Sequence, residues 1–377
     1  MKLIYITNTR LPSEKANSIQ SIQMCASFAN YFNSVELWTI GKKNGASDTN
    51  EIESFYNFKR NFEIKRLWTA DIQSLSNLSE TLWSQLKNIT FSINVCIKLF
   101  KYRKNKSVIL YSRVWLVNFF IGKLQKINIF QFLFFYELHQ ASDFQISMAK
   151  KSSGFVVINS YLKEFAENKN LPNIFMAHDG VDTKLFDSLP KYKYIKKDMY
   201  KLLYYGSLYE HKGINDIVKT LELIPDNIQL KIIGGTGVHL RNTRLLIEEY
   251  DKSGRCTLIP HMTQKSLLNE IKSSDLLILP NNNSDLNKST SPLKLFEYMC
   301  SNKPIIASNI QAITEIVDEN EVFLFDPNVA KSLVNAIKSA TSQDCTPRIN
   351  NCLQKVEEFT WSTRARNIHK FISSLLN

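Results

Sequence analysis

Short apolar runs rich in β-branched and aromatic residues alternate with helical patterns along the whole chain. In the first half the runs are KLIYIT (2–7), SVELWTI (34–40), SVILYS (107–112), FLFFYEL (132–138), GFVVIN (154–159) and NIFMAH (173–178). Between the first two, SIQSIQMCASFANYF has a helical period, with Ile19, Ile22, Met24, Cys25 and Phe28 suited to one face. From about Gly41 to Phe62 no period holds, which predicts a loop. A polar, charged stretch without a period, DSLPKYKYIKKDMY (187–200), interrupts the alternation. It then restarts with KLLYYG (201–206), QLKIIG (229–234), CTLIP (256–260), DLLILP (275–280), KPIIAS (303–308) and EVFLF (321–325), each followed by a helix candidate. The last helix is expected at about Trp361–Leu376. Strands alternating with helices predict parallel sheets covered on both faces. The pattern therefore predicts an α/β chain of two successive doubly wound domains, residues 1–190 and 191–360, with a ligand at the carboxyl ends of the strands.

Length agrees with that division, since 377 residues are many for one core. A hydrophobic content of 44% is ordinary for a globular protein. The six cysteines, Cys25, Cys96, Cys256, Cys300, Cys345 and Cys352, form no Cys-x-x-Cys and no metal-ligand spacing. With MKLIYIT reading as a first strand and not as a targeting sequence, they are expected to be reduced thiols in a cytoplasmic protein.

The net charge of +12 is unevenly placed. Between Glu80 and Glu137 there is no acidic residue, yet nine basic ones stand there: Lys87, Lys98, Lys101, Arg103, Lys104, Lys106, Arg113, Lys123 and Lys126. Aromatic and aliphatic residues are interleaved with them. No uncharged apolar run approaches the roughly 20 residues of a bilayer span, and no nucleic-acid-binding module is recognisable. The window (87–126) predicts peripheral contact with an anionic membrane. The alternative is an ordinary solvated helix face.

Candidate chemistry concentrates in the second half. After DLLILP comes the polar loop NNNSDLNKST, and then SPLKLFEYM. Ser291 offers an N-cap and Pro292 a first-turn position, so the amides of that turn form a seat for an anion. Lys294 adds a positive charge in the same turn. Glu297 lies one turn on, able to accept hydrogen bonds from hydroxyls beside the anion. Alternatively, Lys294 and Glu297 are an exposed i,i+3 ion pair. In LLYYGSLYEHKGINDIV (202–218) a strand ends at Gly206, and Lys212 would reach the same crevice. The cluster KIIGGTG (231–237), with Gly234 and Gly235, follows the next strand without forming a G-x-G-x-x-G fingerprint.

Taken together, these segments resemble the family 4 (group 1) glycosyltransferases of the GT-B fold. SPLKLFEYMCSNKPIIAS is similar to their donor-site signature, YYGSLYEHKG to their phosphate-binding lysine loop, and DLLILPN to the strand before the donor loop. TRLPSEKANSIQSIQMCASFA, YELH, VINSYLKE and AHDGVDTKLF resemble segments of the first domain, and FTWSTRARNI the closing helix, which in this fold crosses back to that domain. The resemblance implies an acceptor-binding first domain, joined by the final helix at about 361–377, and a donor-binding second domain.

It further implies a retaining transfer of a sugar from a nucleotide-diphosphate sugar, with no cofactor and no metal. The acceptor would be a glycan or a lipid-linked glycan. Lys212 would hold the diphosphate and Glu297 the ribose hydroxyls, while Ser291, Pro292 and Leu293 would line the phosphate turn. His139 would touch the donor sugar near the reacting carbon. Arg113 and the Asn17-Ser18 loop would sit on the acceptor side. The chain departs from the family at three positions: Ser289 stands where many members carry a second glutamate, Ser207 where many carry an arginine, and Ser18 where a glycine is frequent. Two alternatives are a nucleotide-sugar-binding partner subunit without catalysis and a nucleotide-sugar epimerase. A dehydrogenase is disfavoured because strand one leads into NTRLPSEKANS and not into a glycine fingerprint. The metal-binding triplet Asp-x-Asp is absent from the sequence.

Overall fold

The computed structural model describes residues 1–13, 15–41, 47–56, 59–70 and 80–376. Two compact units emerge, one of Met1–Asp179 with Trp361–Asn377, the other of Gly180–Thr360.

The first unit is built on a parallel sheet of β1 (Lys2–Ile6), β2 (Ser34–Ile40), β3 (Glu63–Leu67), β4 (Val108–Ser112), β5 (Leu133–Leu138), β6 (Gly154–Val157) and β7 (Ile174–Met176). Their order is β3-β2-β1-β4-β5-β6-β7. The second unit holds β8 (Tyr200–Tyr205), β9 (Ile228–Ile233), β10 (Cys256–Ile259), β11 (Leu276–Leu279), β12 (Ile305–Ser308) and β13 (Phe323–Phe325). These are ordered β10-β9-β8-β11-β12-β13 and are also all parallel. In both sheets the order reverses beside the first strand, which opens a crevice at the strands' carboxyl ends.

The continuous apolar runs follow from this arrangement. Successive side chains of a strand point to opposite faces, and both faces here are covered. On β8, Leu202 and Tyr204 enter one core while Leu203 and Tyr205 enter the other. On β11, Leu276 and Ile278 take the first core, and Leu277 and Leu279 the second.

Two segments differ from the sequence-based expectation. Residues Ser47–Tyr56 form a helix where a loop was predicted. Ile52 is its buried anchor, and the Tyr56 hydroxyl donates to the Ser13 carbonyl at 2.8 Å. So few apolar positions leave no readable period. The strand EIKRL (β3) escaped notice because it is a charged edge strand, bonded only to β2. Its Lys65 Nζ lies 2.8 Å from Oε1 of the buried Glu36 on β2. The division between units also falls at Asp179/Gly180 and not at residue 190, because Val181, Phe186 and Leu189 bury in the same core as Leu203 and Tyr205.

The final helix, Trp361–Ser374, belongs to the first unit, where it packs on the helix Ala16–Phe28. His369 meets Phe32 edge to face, with ring centroids 4.9 Å apart, and Phe371 stacks on Phe175 at 5.0 Å. Its inward face is Trp361, Arg364, Ala365, Ile368 and Ile372. Arg364 is therefore a charged residue on an apolar stripe, and burial of that charge demands a partner. The partner is Glu137 on β5, fully buried, whose Oε2 lies 3.3–3.4 Å from the two terminal nitrogens of Arg364. Arg364 Nε donates to the His178 carbonyl at 2.8 Å.

Removing one member of a buried pair typically costs about 3–5 kcal/mol, because the other charge is stranded. Arg364→Leu is expected to destabilise the first unit by that amount in urea unfolding followed by tryptophan fluorescence. A loss under ~1 kcal/mol would show that Glu137 does not need the guanidinium.

Candidate active site

The candidate residues fall in two groups, one in each unit. In the second unit they gather at the carboxyl ends of β8, β9 and β11. Gly206 ends β8 with φ +156°, and Gly234 ends β9 with φ +134°. The two backbones touch: a Cβ on Gly234 would lie 1.9 Å from the Gly206 carbonyl oxygen. Gly235 is as tightly set against Leu208, where a Cβ would come 2.5 Å from Cδ1. These glycines permit close packing of the two strand ends. Ser207 presents its carbonyl to the Tyr204 hydroxyl at 2.5 Å.

The chain then forms a 3₁₀ turn, Glu210–Lys212, and reverses at Gly213 with φ +72°. A Cβ there would fall 1.7 Å from the Pro280 carbonyl oxygen at the end of β11. Further bonds fix the same junction. The amide of Asn282 donates to the His211 carbonyl at 3.2 Å, and the buried Asn287 donates through Nδ2 to the same carbonyl at 2.7 Å. The lysine turn is thus clamped to the loop after β11. Gly213, Asn282 and Asn287 were missed as site residues in the sequence, although the asparagine-rich NNNSDLNKST was the available signal.

The segment after that loop differs from the expected capping. Ser291 is buried, but the cap position of the helix Leu293–Met299 is Pro292, and no side chain caps it. Pro292 itself is extended (φ −77°, ψ 95°), so the helix begins one residue on, at Leu293. At seven residues the helix is under two turns, so the side-chain charges dominate any anion seat here. Ser289 sits before it, half-buried, at the end of the short helix Asp285–Lys288.

Lys294 and Glu297 do form the i,i+3 ion pair, at 2.8 Å, and both are partly buried. The Lys294 ammonium also lies 4.6 Å from the ring centre of Tyr205 on β8. Tyr205 in turn donates its backbone amide to the Tyr298 hydroxyl at 3.2 Å. The helix is thereby bound to the same strand that leads into the lysine turn. Lys212 is within electrostatic reach of Lys294: burial first, and that second ammonium next, pull its pKa down to about 8. Among the described residues no carboxylate stands within ion-pair distance of Lys212. Two ammonium groups and one carboxylate leave a surplus positive charge in a partly buried corner.

In the first unit the centre is Glu137, within the segment YELH. A glutamate inside an otherwise apolar strand was the signal. Its carboxylate accepts from Gln20 Nε2 at 2.9 Å, from the Tyr111 hydroxyl, and from Arg364, and it stands 2.5 Å from His139 Nε2. Burial alone would raise its pKa, but Arg364 above all, with His139 and Arg113, holds it well below the usual range. Gln20 also bridges to Asp179 Oδ1 at 2.5 Å, and burial first pushes that carboxyl up to about 6. His139, predicted from the sequence, thus has one nitrogen committed to an ionised carboxylate. Burial, followed by the Arg113 cation, draws its pKa down to about 4. A neutral ring that donates through Nε2 keeps Nδ1 as an acceptor. Arg113 follows β4 and donates from Nη1 to the Asn17 carbonyl at 3.2 Å, so Arg113, Asn17 and the buried Ser18 are neighbours.

The charge at this centre has a spectroscopic consequence. Imidazole ¹⁵N NMR is expected to show His139 neutral at pH 6 with its proton on Nε2. Glu137→Gln should weaken that preference. A positively charged ring at pH 6 would contradict the assignment.

Residues 187–355 match the sequence model of the family described as "Glycosyl transferases group 1". An uncharacterised glycosyltransferase of Methanocaldococcus jannaschii is 24% identical over 261 residues, which is 64% of this chain and 60% of that protein's length. The match thus spans less than two thirds of that relative. Among solved structures, sucrose-phosphate synthase from Thermosynechococcus elongatus superposes with a TM-score of 0.76 at 17% identity, covering 100% of this chain and 99% of that one. HepE of Anabaena, solved in complex with UDP and glucose, gives 0.72 at 13% identity, covering 99% and 100%. The two parallel sheets are those of the GT-B glycosyltransferase fold.

Proposed function

We propose that this chain, whose residues 187–355 carry a group 1 glycosyltransferase domain, transfers a sugar from a nucleotide-diphosphate sugar to a glycan or lipid-linked acceptor with retention of configuration. One observation carries the reading: the clamped, partly buried Lys212 feels the charge of Lys294 and has no carboxylate of its own among the described residues. Two like charges held together in a poorly solvated corner are stabilised by an anion. A diphosphate, with oxygens enough for both ammonium groups, suits that corner. Glu297, already beside Lys294, would accept from the ribose hydroxyls. HepE, which shares the fold, was solved with UDP and with glucose, and this supports a nucleotide sugar as the donor.

In the transfer, the bond from the anomeric carbon to the diphosphate oxygen breaks and its electron pair leaves with the diphosphate. The acceptor hydroxyl oxygen bonds to that carbon on the same face, and its proton passes to the departing phosphate. Lys212 and Lys294 would neutralise the leaving group in place of a metal. Removing one preorganised donor of this kind costs about 3–4 kcal/mol in the transition state. His139 Nδ1 would accept from a hydroxyl of the transferred sugar, and Arg113 with Asn17 and Ser18 would meet the acceptor. The acceptor is met at the cytoplasmic face of an anionic membrane. Among the described residues no helix is long and apolar enough to cross one.

Three measurements test this reading. Lys212→Ala is expected to lower turnover about 100-fold or more while the protein stays folded by circular dichroism. A nearly unchanged rate would reject the role. Glu297→Ala should weaken nucleotide binding in calorimetry, and equal affinity would count against the ribose assignment. The third concerns protons. Free Lys212 titrates near 8, and a bound diphosphate would restore its pKa towards the usual 10.4. Binding should therefore take up close to one proton at pH 9 and almost none at pH 6.5, and affinity should fall as pH rises above about 8. Calorimetry in buffers of different ionisation enthalpy reads this directly.

A further inference from the structure

The helix Glu80–Leu99 and the 3₁₀ turn Phe100–Tyr102 carry two apolar faces, and the core uses only one. Phe91, Val95 and Leu99 are fully buried against the sheet. On the opposite side Leu82, Ile89, Ile93, Ile97 and Phe100 are 41–66% exposed. At about 100° per residue these five fall within a narrow arc, so they form one ridge along the whole helix. Isolated exposed aliphatics are common on protein surfaces, but a continuous ridge of this length marks an interaction surface.

The ridge runs into a cluster of cations. Lys98, Lys101, Arg103, Lys104 and Lys106 are all exposed at its carboxyl end. Lys101, Arg103, Lys104 and Lys106, with Asn105, surround an open concavity of about 620 Å³. The Arg103 guanidinium sits 4.7 Å from the Phe100 ring centre, so charge and apolar surface are joined in one patch. The Gln131 amide donates to the Arg103 carbonyl at 2.8 Å. That bond brings up the turn that precedes Gln131, where Ile127 is 65% exposed. No acidic residue between Glu80 and Glu137 offsets these cations.

We propose that this ridge and its basic end are the surface by which the protein lies on an anionic lipid bilayer, the aliphatic side chains entering the headgroup boundary and the cations meeting lipid phosphates. Charge complementarity selects this occupant. A second copy docking ridge to ridge would oppose like charges across a two-fold axis. A single-stranded nucleic acid would use stacking aromatics, whereas the ridge is aliphatic except for Phe100. A bilayer satisfies both halves of the patch, each well-placed cation adding about 1 kcal/mol near anionic headgroups. The inference deepens the membrane-acceptor reading above by naming the face that docks.

Flotation of the full chain with vesicles tests it. Binding is expected to vesicles containing phosphatidylglycerol, weakly or not at all to pure phosphatidylcholine, and to decline as salt rises. Ile93→Ser with Ile97→Ser should lower the partition coefficient about tenfold or more. Lys101→Glu with Lys104→Glu should abolish the preference for phosphatidylglycerol. Both double variants should retain nucleotide affinity, since none of these residues lies in the second unit. Wild-type protein that fails to float at low salt, or double variants that float as well as wild type, would overturn the proposal. So would sedimentation velocity showing a dimer that the isoleucine variant dissolves, which would make the ridge a self-association face. Vesicle binding without sugar transfer would leave the docking surface standing and remove the transferase reading. Transfer to a soluble acceptor without vesicle binding would do the reverse.

Discussion

A charge taken out of water has to find its opposite, and in this protein that constraint is met fully in one place and partly in another. Glu137 is fully buried near the carboxyl end of β5, where an isolated carboxylate could not persist. Arg364, arriving on the last helix of the chain, supplies the counter-charge, and Gln20 and Tyr111 take up further lone pairs. The return of the last helix to the first unit is thus a chemical requirement as well as a matter of packing. The ordering of His139 depends on it, because its ring is held by the same carboxylate.

In the second unit the account is left open. Lys294 has Glu297, but Lys212 is turned toward a second cation by a loop that has little freedom to move away. The rigidity comes from backbone contacts. Gly213 lies against the Pro280 carbonyl, Gly234 against Gly206, and Asn282 and Asn287 hold the His211 carbonyl. A surplus charge on a flexible tip would relax into solvent. One on a clamped turn persists, and the proposed binding of an anion rests on that persistence.

The three serines at positions 18, 207 and 289 lie in different surroundings. Ser18 is buried in the first unit beside Asn17 and Arg113. Ser207 has its carbonyl engaged by Tyr204, and Ser289 is partly buried at a helix end. None of them interrupts the glycine contacts or the convergence of the two lysines. The packing around the two lysines therefore does not depend on an arginine at 207 or a glutamate at 289.

By itself the sequence determined the strands and their parallel arrangement, because a strand covered on both faces must be apolar at successive positions, as in LLYY and LLIL. It also singled out Lys212, Lys294 and Glu297 from the loops and first turns around them, whereas His139 entered only through the family resemblance. What it did not reveal depends on partners distant along the chain. The edge strand β3 and the helix at Ser47–Tyr56 have too few buried positions to set a period. Glu137 and Arg364 are 227 residues apart, and each looks misplaced on its own apolar face until the other is seen. Only the tertiary structure decided which carboxylate answers which cation, because that choice rests on burial and distance, and neither is written in local order.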